Sequence, residues 1–123
     1  MAKVTAVAPV LLVRDVAASA EYFRDCVGFE FELHNEPPDF AICWRDQARL
    51  MLAQCDEPTP PHWKVVDKTW NVYFWVDNAD EIYEELIAKG AKIDYSIHNK
   101  PYGVREFGIQ DLDEHDIAFG QVL

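Results

Sequence analysis

The chain has 123 residues, half of them hydrophobic, and a formal net charge of −11 at pH 7. This length suits one compact domain, and the apolar share is too high for a disordered chain. The surplus of acid opposes binding to phosphate backbones and to anionic lipid surfaces, so we expect neither nucleic acid nor a membrane as a partner. No apolar run reaches the roughly 18 residues that span a bilayer, and no signal-peptide layout is seen, which together predict a cytoplasmic protein.

The first half of the chain has the pattern of a strand, a helix and three strands. Residues 4–13 are rich in β-branched and aliphatic side chains and predict a strand. Asp15 is placed to cap a helix over residues 16–27 that ends at Gly28. Short runs between polar or proline-containing turns then predict strands at 29–34, 40–44 and 48–54.

A proline-rich stretch leads into a second half with the same pattern. Three prolines fall within residues 57–68, which predicts a linker. A strand over residues 70–76 then precedes a helix, whose start is indicated by Asn78 with Glu81 three positions on, the outline of a capping box. The helix is closed by Gly90, and three further strands are predicted at 91–97, 105–110 and 116–122.

The same order of elements therefore occurs twice, with nearly equal spacing between the corresponding helix starts and helix-ending glycines. Such an internal repeat predicts an α+β fold built from two tandem βαβββ modules. We place module one at residues 1–56 and module two at 69–123, on either side of the linker at 57–68, and expect residues 1–123 to form a single domain.

Motifs at both ends of the chain resemble one known family. Residues 9–16 read P-V-L-L-V-R-D-V, and residues 102–107 read Y-G-V-R-E-F, followed by a D-L-D-E-H turn and an A-F-G-Q strand. In this order they resemble the glyoxalase, bleomycin-resistance and extradiol-dioxygenase group, also called the vicinal-oxygen-chelate superfamily, and especially its bleomycin-resistance branch. The resemblance covers nearly the whole chain and implies that each module curls a mixed sheet into a half-barrel. The turn lacks the family's usual proline and glycine, so Glu114 is expected at positive φ.

The resemblance also implies where metal ligands would lie, and the residues there are poor donors. Enzymes of the family hold a divalent metal with His or Glu side chains from the first and last strands of each module. Those positions fall in this sequence on Ala8, Met51, Asn71 and Ala118. Transition metals need about three or four imidazole or anionic donors, and the half-barrels offer only the amides of Asn71 and Gln54. We therefore expect no metal and no cofactor.

The four histidines form no nucleophilic or metal-binding pattern that the spacing alone can support. His62 lies in the linker and His115 in a turn, so both are expected on the solvated surface. His34 ends a strand and is expected to be structural or exposed. His98 precedes a loop near Tyr102 and is the one histidine placed to reach the mouth of a pocket.

Aromatic residues give the positive indication of a binding site. Strand alternation turns Asn71, Tyr73 and Trp75 toward the inside of the second half-barrel. Aromatic walls in acidic surroundings suit a flat, cationic small molecule, although aromatic residues in strands are more often packing residues. The candidate ligand-binding residues are Phe40, Trp44, Asn71, Tyr73, Trp75, Tyr102 and Glu106.

Three functions stay open at this stage. The first is a metal-independent small-molecule-binding protein that resembles the bleomycin-resistance proteins, which sequester an antibiotic as homodimers without chemistry. The second is a glyoxalase-like lyase, isomerase or dioxygenase that uses a metal with atypical ligands, or an acid–base group such as Glu106. The third is a regulatory or structural module whose half-barrel is filled by its own side chains. The missing metal ligands favour the first, a binding protein rather than an enzyme.

Overall fold

The two halves of the chain fold with the same order of elements. The computed structural model describes residues 1–123 and divides them into two units, Met1–Pro58 and Thr59–Leu123. Each unit contains one α-helix and one four-stranded mixed sheet, and neither sheet closes into a barrel. The α+β fold of tandem βαβββ modules predicted from the sequence is confirmed.

In the N-terminal unit a single helix covers one sheet. Its strands follow the order β1-β4-β3-β2, with β1 parallel to β4 and the other pairs antiparallel. The helix begins where the Asp15 carboxylate accepts the Ala18 N–H at 3.0 Å, as predicted, and ends at Gly28 with φ of 79°. The elements are β1 (Val10–Val13), α1 (Val16–Val27), β2 (Glu30–His34), β3 (Phe40–Arg45) and β4 (Ala48–Gln54).

The first strand is shorter than the sequence predicts. It begins at Val10 rather than at residue 4, and residues 1–7 are exposed without regular structure. Pro9 has no N–H to donate to a neighbouring strand. Its carbonyl accepts the Met51 N–H at 2.9 Å, and this is where the pairing of β1 with β4 starts. The strand pairing starts there although β4 extends back to Ala48, and apolar composition alone could not reveal where it starts.

The C-terminal unit repeats this architecture. Its strands follow the order β5-β8-β7-β6, with β5 parallel to β8. The Asn78 carboxamide accepts the Glu81 N–H at 3.1 Å, which confirms the predicted helix start. The elements are β5 (Val72–Trp75), α2 (Ala79–Ala88), β6 (Lys92–Lys100), β7 (Val104–Gln110) and β8 (Asp116–Val122), and the segment before β5 contains a single 3₁₀ turn (His62–Lys64).

One glutamine in each unit ties the last strand to the start of the helix. The Gln54 Oε1 atom accepts the Val16 N–H at 2.9 Å, and the Gln121 Oε1 atom accepts the Ala79 N–H at the same distance. The first N–H groups of a helix have no partner within the helix, so each glutamine satisfies one of them. Gln54, considered from the sequence as a weak metal donor, has this structural role.

Each hydrophobic core lies between a helix and one face of its sheet. In the C-terminal unit Phe107 is fully buried and stacks on Phe119 with ring centroids 5.1 Å apart, and Tyr83 of α2 also packs on Phe107, with centroids 5.0 Å apart. Burial of such aromatic pairs contributes strongly to stability. Neither helix has the length and apolarity that crossing a bilayer requires.

The turn between β7 and β8 buries the histidine that the sequence predicted on the solvated surface. His115 is only 4% exposed, and its Nδ1 atom lies 2.8 Å from the Asp111 carboxylate. The same carboxylate accepts the backbone N–H groups of Asp113 and His115 at 3.0 and 2.8 Å. The prediction of a surface His115 is wrong because Asp111 provides a buried partner. Glu114 has φ of 64°, as expected for this turn.

Candidate functional site

The two faces of the C-terminal sheet differ in chemistry. Phe74, Phe107 and Phe119 point toward α2 and form the core. Alternation turns the neighbouring residues Tyr73 and Glu106 to the opposite face. That second face has a buried carboxylate surrounded by aromatic hydroxyl groups, an arrangement we call the phenol cluster, formed by Glu106, Tyr73, Tyr95 and Tyr102.

The phenol cluster places three tyrosine hydroxyls on one carboxylate. Tyr73 and Tyr102 both donate to the Glu106 Oε1 atom at 2.7 Å, and Tyr95 donates to the Oε2 atom at 2.5 Å. Glu106 is 0% exposed. A buried carboxylate loses its hydration, and hydrogen bonds to charged groups are the strong ones that can offset this cost.

Two glycines make room for the tyrosine rings. Gly120 lies beneath the Tyr73 ring and Gly108 beneath the Tyr95 ring, and a methyl group on either glycine would overlap the ring above it. Both glycines are buried within β-strands, where glycine is normally unfavourable. Their place in the sequence is therefore explained by close approach of the tyrosines to Glu106.

Beside the phenol cluster lies an open groove of about 450 Å³ within the C-terminal unit. Its walls combine indole and phenol rings with carboxylates, and two lysines also line it. The lining residues are Trp63, Asp67, Lys68, Trp70, Asp94, Tyr95, Lys100, Glu106, Gln110 and Asp116. Apolar walls with a few oriented polar groups are typical of small-molecule sites.

The groove has a negative electrostatic character. Four carboxylates line it against two lysines, and one of these, Lys100, places its ammonium 4.9 Å from the centre of the Tyr95 ring. Burial raises the pKa of Asp116, and the charges of Asp94 and Asp111 raise it further, against a hydrogen bond from Gln110 that lowers it. The repulsion from Asp94 and Asp111 indicates a negative potential at Asp116, which favours a cation nearby.

The tyrosines of the phenol cluster are strongly perturbed. Burial, followed by the hydrogen bond to Glu106, raises the pKa of Tyr73 and Tyr95 well above the ordinary tyrosine value. The same two causes raise the pKa of Tyr102 to about 12. Ionisation would place a phenolate against the Glu106 carboxylate, so these hydroxyls hold their protons.

We expect an alkaline titration of the folded protein to show three of its five tyrosines still protonated at about pH 11, one unit above the ordinary pKa. The pKa values of these three tyrosines are higher in the folded protein than in the unfolded chain. The stability that their protonated hydroxyls contribute is therefore complete below about pH 10 and is lost as pH rises through the folded pKa values. Absorbance of tyrosinate, followed with far-ultraviolet circular dichroism, measures this. The chain unfolded in guanidinium is the control, and ionisation of all five tyrosines near pH 10 in a folded protein would contradict the phenol cluster.

The predicted site residues of the C-terminal unit do not share one pocket. Of the five, only Glu106 lines the groove, while Tyr73 and Tyr102 donate hydrogen bonds to the Glu106 carboxylate. Trp75 is 65% exposed and packs on Tyr73 with ring centroids 4.7 Å apart. Asn71 lies just before β5, and its Oδ1 atom accepts the His62 N–H at 3.0 Å.

The two predicted residues of the N-terminal unit lie on β3, away from α1. Trp44 is half-buried, and its indole N–H donates to the Glu30 carboxylate at 2.9 Å. Phe40 meets the His34 imidazole edge to face, with centroids 6.2 Å apart. They occupy a different unit from the groove.

Sequence reasoning missed three aromatic residues that line the groove. Tyr95 lies between two register shifts of the β6–β7 pair, so simple alternation along β6 does not assign its face. Trp63 belongs to the segment predicted as a linker, and its indole N–H donates to the Glu114 carbonyl at 2.7 Å. Trp70 precedes β5, and its indole N–H donates to the Tyr95 hydroxyl at 3.1 Å.

The positions that the resemblance assigned to metal ligands carry no carboxylate or imidazole. Met51 pairs with Val10 in the N-terminal sheet, and Ala118 pairs with Tyr73 in the C-terminal sheet. Ala8 precedes β1, and the oxygen of the Asn71 side chain already accepts a backbone N–H. Across residues 1–123 no three His, Cys, Asp or Glu side chains are grouped so that they could hold a metal ion. These residues do not fit the family's metal.

Comparisons with known proteins establish the family. The profile of the Glyoxalase/Bleomycin resistance protein/Dioxygenase superfamily matches residues 4–119, and the chain belongs to this superfamily. No curated protein matches the sequence with significant similarity.

Solved structures share the fold over nearly the full length. A bleomycin-binding protein from bleomycin-producing Streptomyces verticillus, complexed with copper(II)-bleomycin, is 27% identical, with 97% of each chain covered and a TM-score of 0.72. TioX from Micromonospora sp. ML1 is 22% identical, with 96% of this chain and 98% of the other covered and a TM-score of 0.76. A glyoxalase-related enzyme from Clostridium phytofermentans is 15% identical, with 99% and 98% covered and a TM-score of 0.79.

Proposed function

We propose that the chain is a metal-independent binding protein for a flat, positively charged small molecule, which it holds without chemical change. The observation that carries this proposal is the groove of the C-terminal unit, where Trp63, Trp70 and Tyr95 provide aromatic walls beside four carboxylates. Indole and phenol rings attract cations through their faces, and flat ligands through stacking.

The charge of the protein supports a cationic ligand. The net charge of −11 attracts cations over long range, and groove carboxylates such as Asp67 and Asp94 strengthen this attraction locally. Exposed charges are screened by salt within about 10 Å at 0.1 M, so the affinity should fall as salt rises.

Family membership supports binding of a small molecule. The Streptomyces verticillus protein, at 27% identity, binds copper(II)-bleomycin. The proposal for this chain extends to the class of ligand and not to bleomycin itself. Metal independence is supported by Ala8, Met51 and Ala118, which provide no carboxylate or imidazole where the family's enzymes have ligands.

Two further features of the proposal come from the sequence. The three cysteines are unpaired, which suits a reducing compartment and supports action in the cytoplasm. The homodimer implied by the family resemblance stays a prediction. It is supported by the open sheets, since edge strands such as β1 and β5 have unpaired backbone groups that a second copy can cover.

The site is tested by titrating the protein with flat cationic dyes and following quenching of its tryptophan fluorescence. Replacing Trp63 by alanine should weaken binding by about 1–3 kcal/mol, roughly 5- to 150-fold, because this removes a stacking surface of the groove. Trp75 lies outside the groove and packs on Tyr73, so Trp75→Ala tests whether the bound ligand extends beyond the groove.

Ile87→Ala is the matched control, since this side chain is exposed on α2, outside the groove. It should bind as the wild type does. A screen in which no flat cation quenches the fluorescence, or in which Trp63→Ala binds unchanged, would refute the proposed function.

A further inference from the structure

The Tyr95 ring has one face against the sheet and one face turned to the groove. A β-carbon on Gly108 would lie 2.8 Å from both the Cδ1 and the Cζ atoms of the ring, so the β7 backbone packs against the flat of the ring. The hydroxyl group at the far end of the ring is engaged with Trp70 and Glu106. Because Tyr95 lines the groove, the face away from Gly108 is the one that a ligand can reach.

Lys100 covers this open face of the Tyr95 ring. Its ammonium lies over the ring, 4.9 Å from the centroid, and the lysine is itself a lining residue of the groove. Four carboxylates line the same groove, yet the Lys100 ammonium forms no ion pair with any of them. The protein therefore already holds a positive charge on an aromatic face of the groove, in the geometry of a cation–π contact.

The contact between Lys100 and Tyr95 is weak enough for a ligand to replace it. An ammonium over a tyrosine ring at a solvent-accessible site contributes a factor of about two to five to an equilibrium constant. The ammonium is strongly hydrated and stands on a flexible chain of four carbons, so it can move into solvent. A flat cation covers more of the ring, and it is attracted by stacking as well as by charge.

We propose that the cationic ring system of the ligand stacks on the open face of Tyr95, in the place that the Lys100 ammonium occupies in the free protein. This inference rests on the proposed function and assigns the position of the ligand's charge within the groove. Lys100 is then a competitor of the ligand for the Tyr95 ring, and its side chain sets how tightly a flat cation binds.

Two substitutions of Lys100 are expected to change the affinity in opposite directions. The probe is 9-aminoacridine, which is flat and protonated at neutral pH, with its charge spread over the rings. Lys100→Gln uncovers the Tyr95 ring and should tighten binding of this probe by about two- to fivefold. Lys100→Arg keeps the charge, but a guanidinium stacks better on an aromatic face, so this variant should bind the probe more weakly than the wild type does.

The control separates occupancy of the ring from the general effect of removing a positive charge. Lys68 also lines the groove, but its ammonium lies over no aromatic ring, so Lys68→Gln is the matched control. Fluorescence titrations are made at about 1 M salt, where the screening length is about 3 Å and repulsion across the groove is suppressed. Under this condition Lys68→Gln should bind as the wild type does, whereas Lys100→Gln should keep its gain.

The outcomes distinguish this inference from the proposed function. Equal affinities of Lys100→Gln and the wild type at high salt, or Lys100→Arg binding at least as tightly as the wild type, would overturn the role of Lys100 while the binding function stands. Binding by Lys100→Gln alone would support the inference, since the ammonium would then block the ring. Failure of both the wild type and Lys100→Gln to bind the probe would count against the proposed function itself, and the inference falls with it.

Discussion

Gly108→Ala is expected to lower the free energy of unfolding by about 3 kcal/mol, from overpacking together with a lost buried hydrogen bond. A β-carbon at this position would overlap the Tyr95 ring, so the ring must move away. Moving it breaks the bond from Tyr95 to Glu106 and the bond that Tyr95 accepts from Trp70. A loss of stability would be informative, because replacing glycine by alanine within a strand otherwise stabilises a protein by about 0.5–1 kcal/mol.

Urea unfolding monitored by circular dichroism measures this effect. Tyr95→Ala provides the control background, since it removes the ring that the new methyl group would overlap. In that background Gly108→Ala should lower the free energy of unfolding by much less than it does in the wild type. The difference between these two changes is the coupling energy between Gly108 and Tyr95. If Gly108→Ala is neutral or stabilising in the wild-type background, the phenol cluster is not packed as described.

Asp111→Ala is expected to destabilise the protein by about 3 kcal/mol, because it leaves several buried donors without an acceptor. The Asp111 carboxylate accepts from the backbone N–H groups of Asp113 and His115 and also contacts the His115 imidazole. No water can replace it readily, since Asp111 and His115 are 2% and 4% exposed.

Leu112→Ala is the matched control in the same turn, because the Leu112 side chain is 56% exposed. Its effect should stay within about 0.5 kcal/mol, as for most surface substitutions. Thermal unfolding of both variants gives the comparison. Equal destabilisation by the two substitutions would show that the Asp111 carboxylate does not hold the turn.

Local sequence signals were sufficient for most of the fold. Asp15 and Asn78 cap helices because their short side chains reach the first free N–H groups, and such caps act over three residues of chain. On β1 the period of two buries Leu11 and Val13, which are at most 3% exposed. The strand predicted at residues 4–13 begins only at Val10, because strand formation depends on pairing with β4, which is distant in sequence.

The candidate site was less accessible to sequence reasoning. Alternation predicted that Tyr73 faces the inside of the half-barrel, but the register shifts around Tyr95 removed the regular period on β6. Trp63 belongs to a proline-rich segment that the sequence predicted as a linker. Its hydrogen bond to the Glu114 carbonyl joins residues far apart in sequence, which local patterns do not reveal. The pairing of His115 with Asp111 likewise depends on burial that composition does not reveal.

The most direct test of the account is to map the bound ligand with the indole N–H signals of the four tryptophans by NMR. Protein treated with a chelator is titrated with 9-aminoacridine, and each indole signal is assigned by substitution. The account predicts shifts at Trp63 and Trp70, which line the groove, without added metal and without chemical change of the probe. Shifts confined to Trp44 of the N-terminal unit, binding that appears only after metal is added, or conversion of the probe would contradict it.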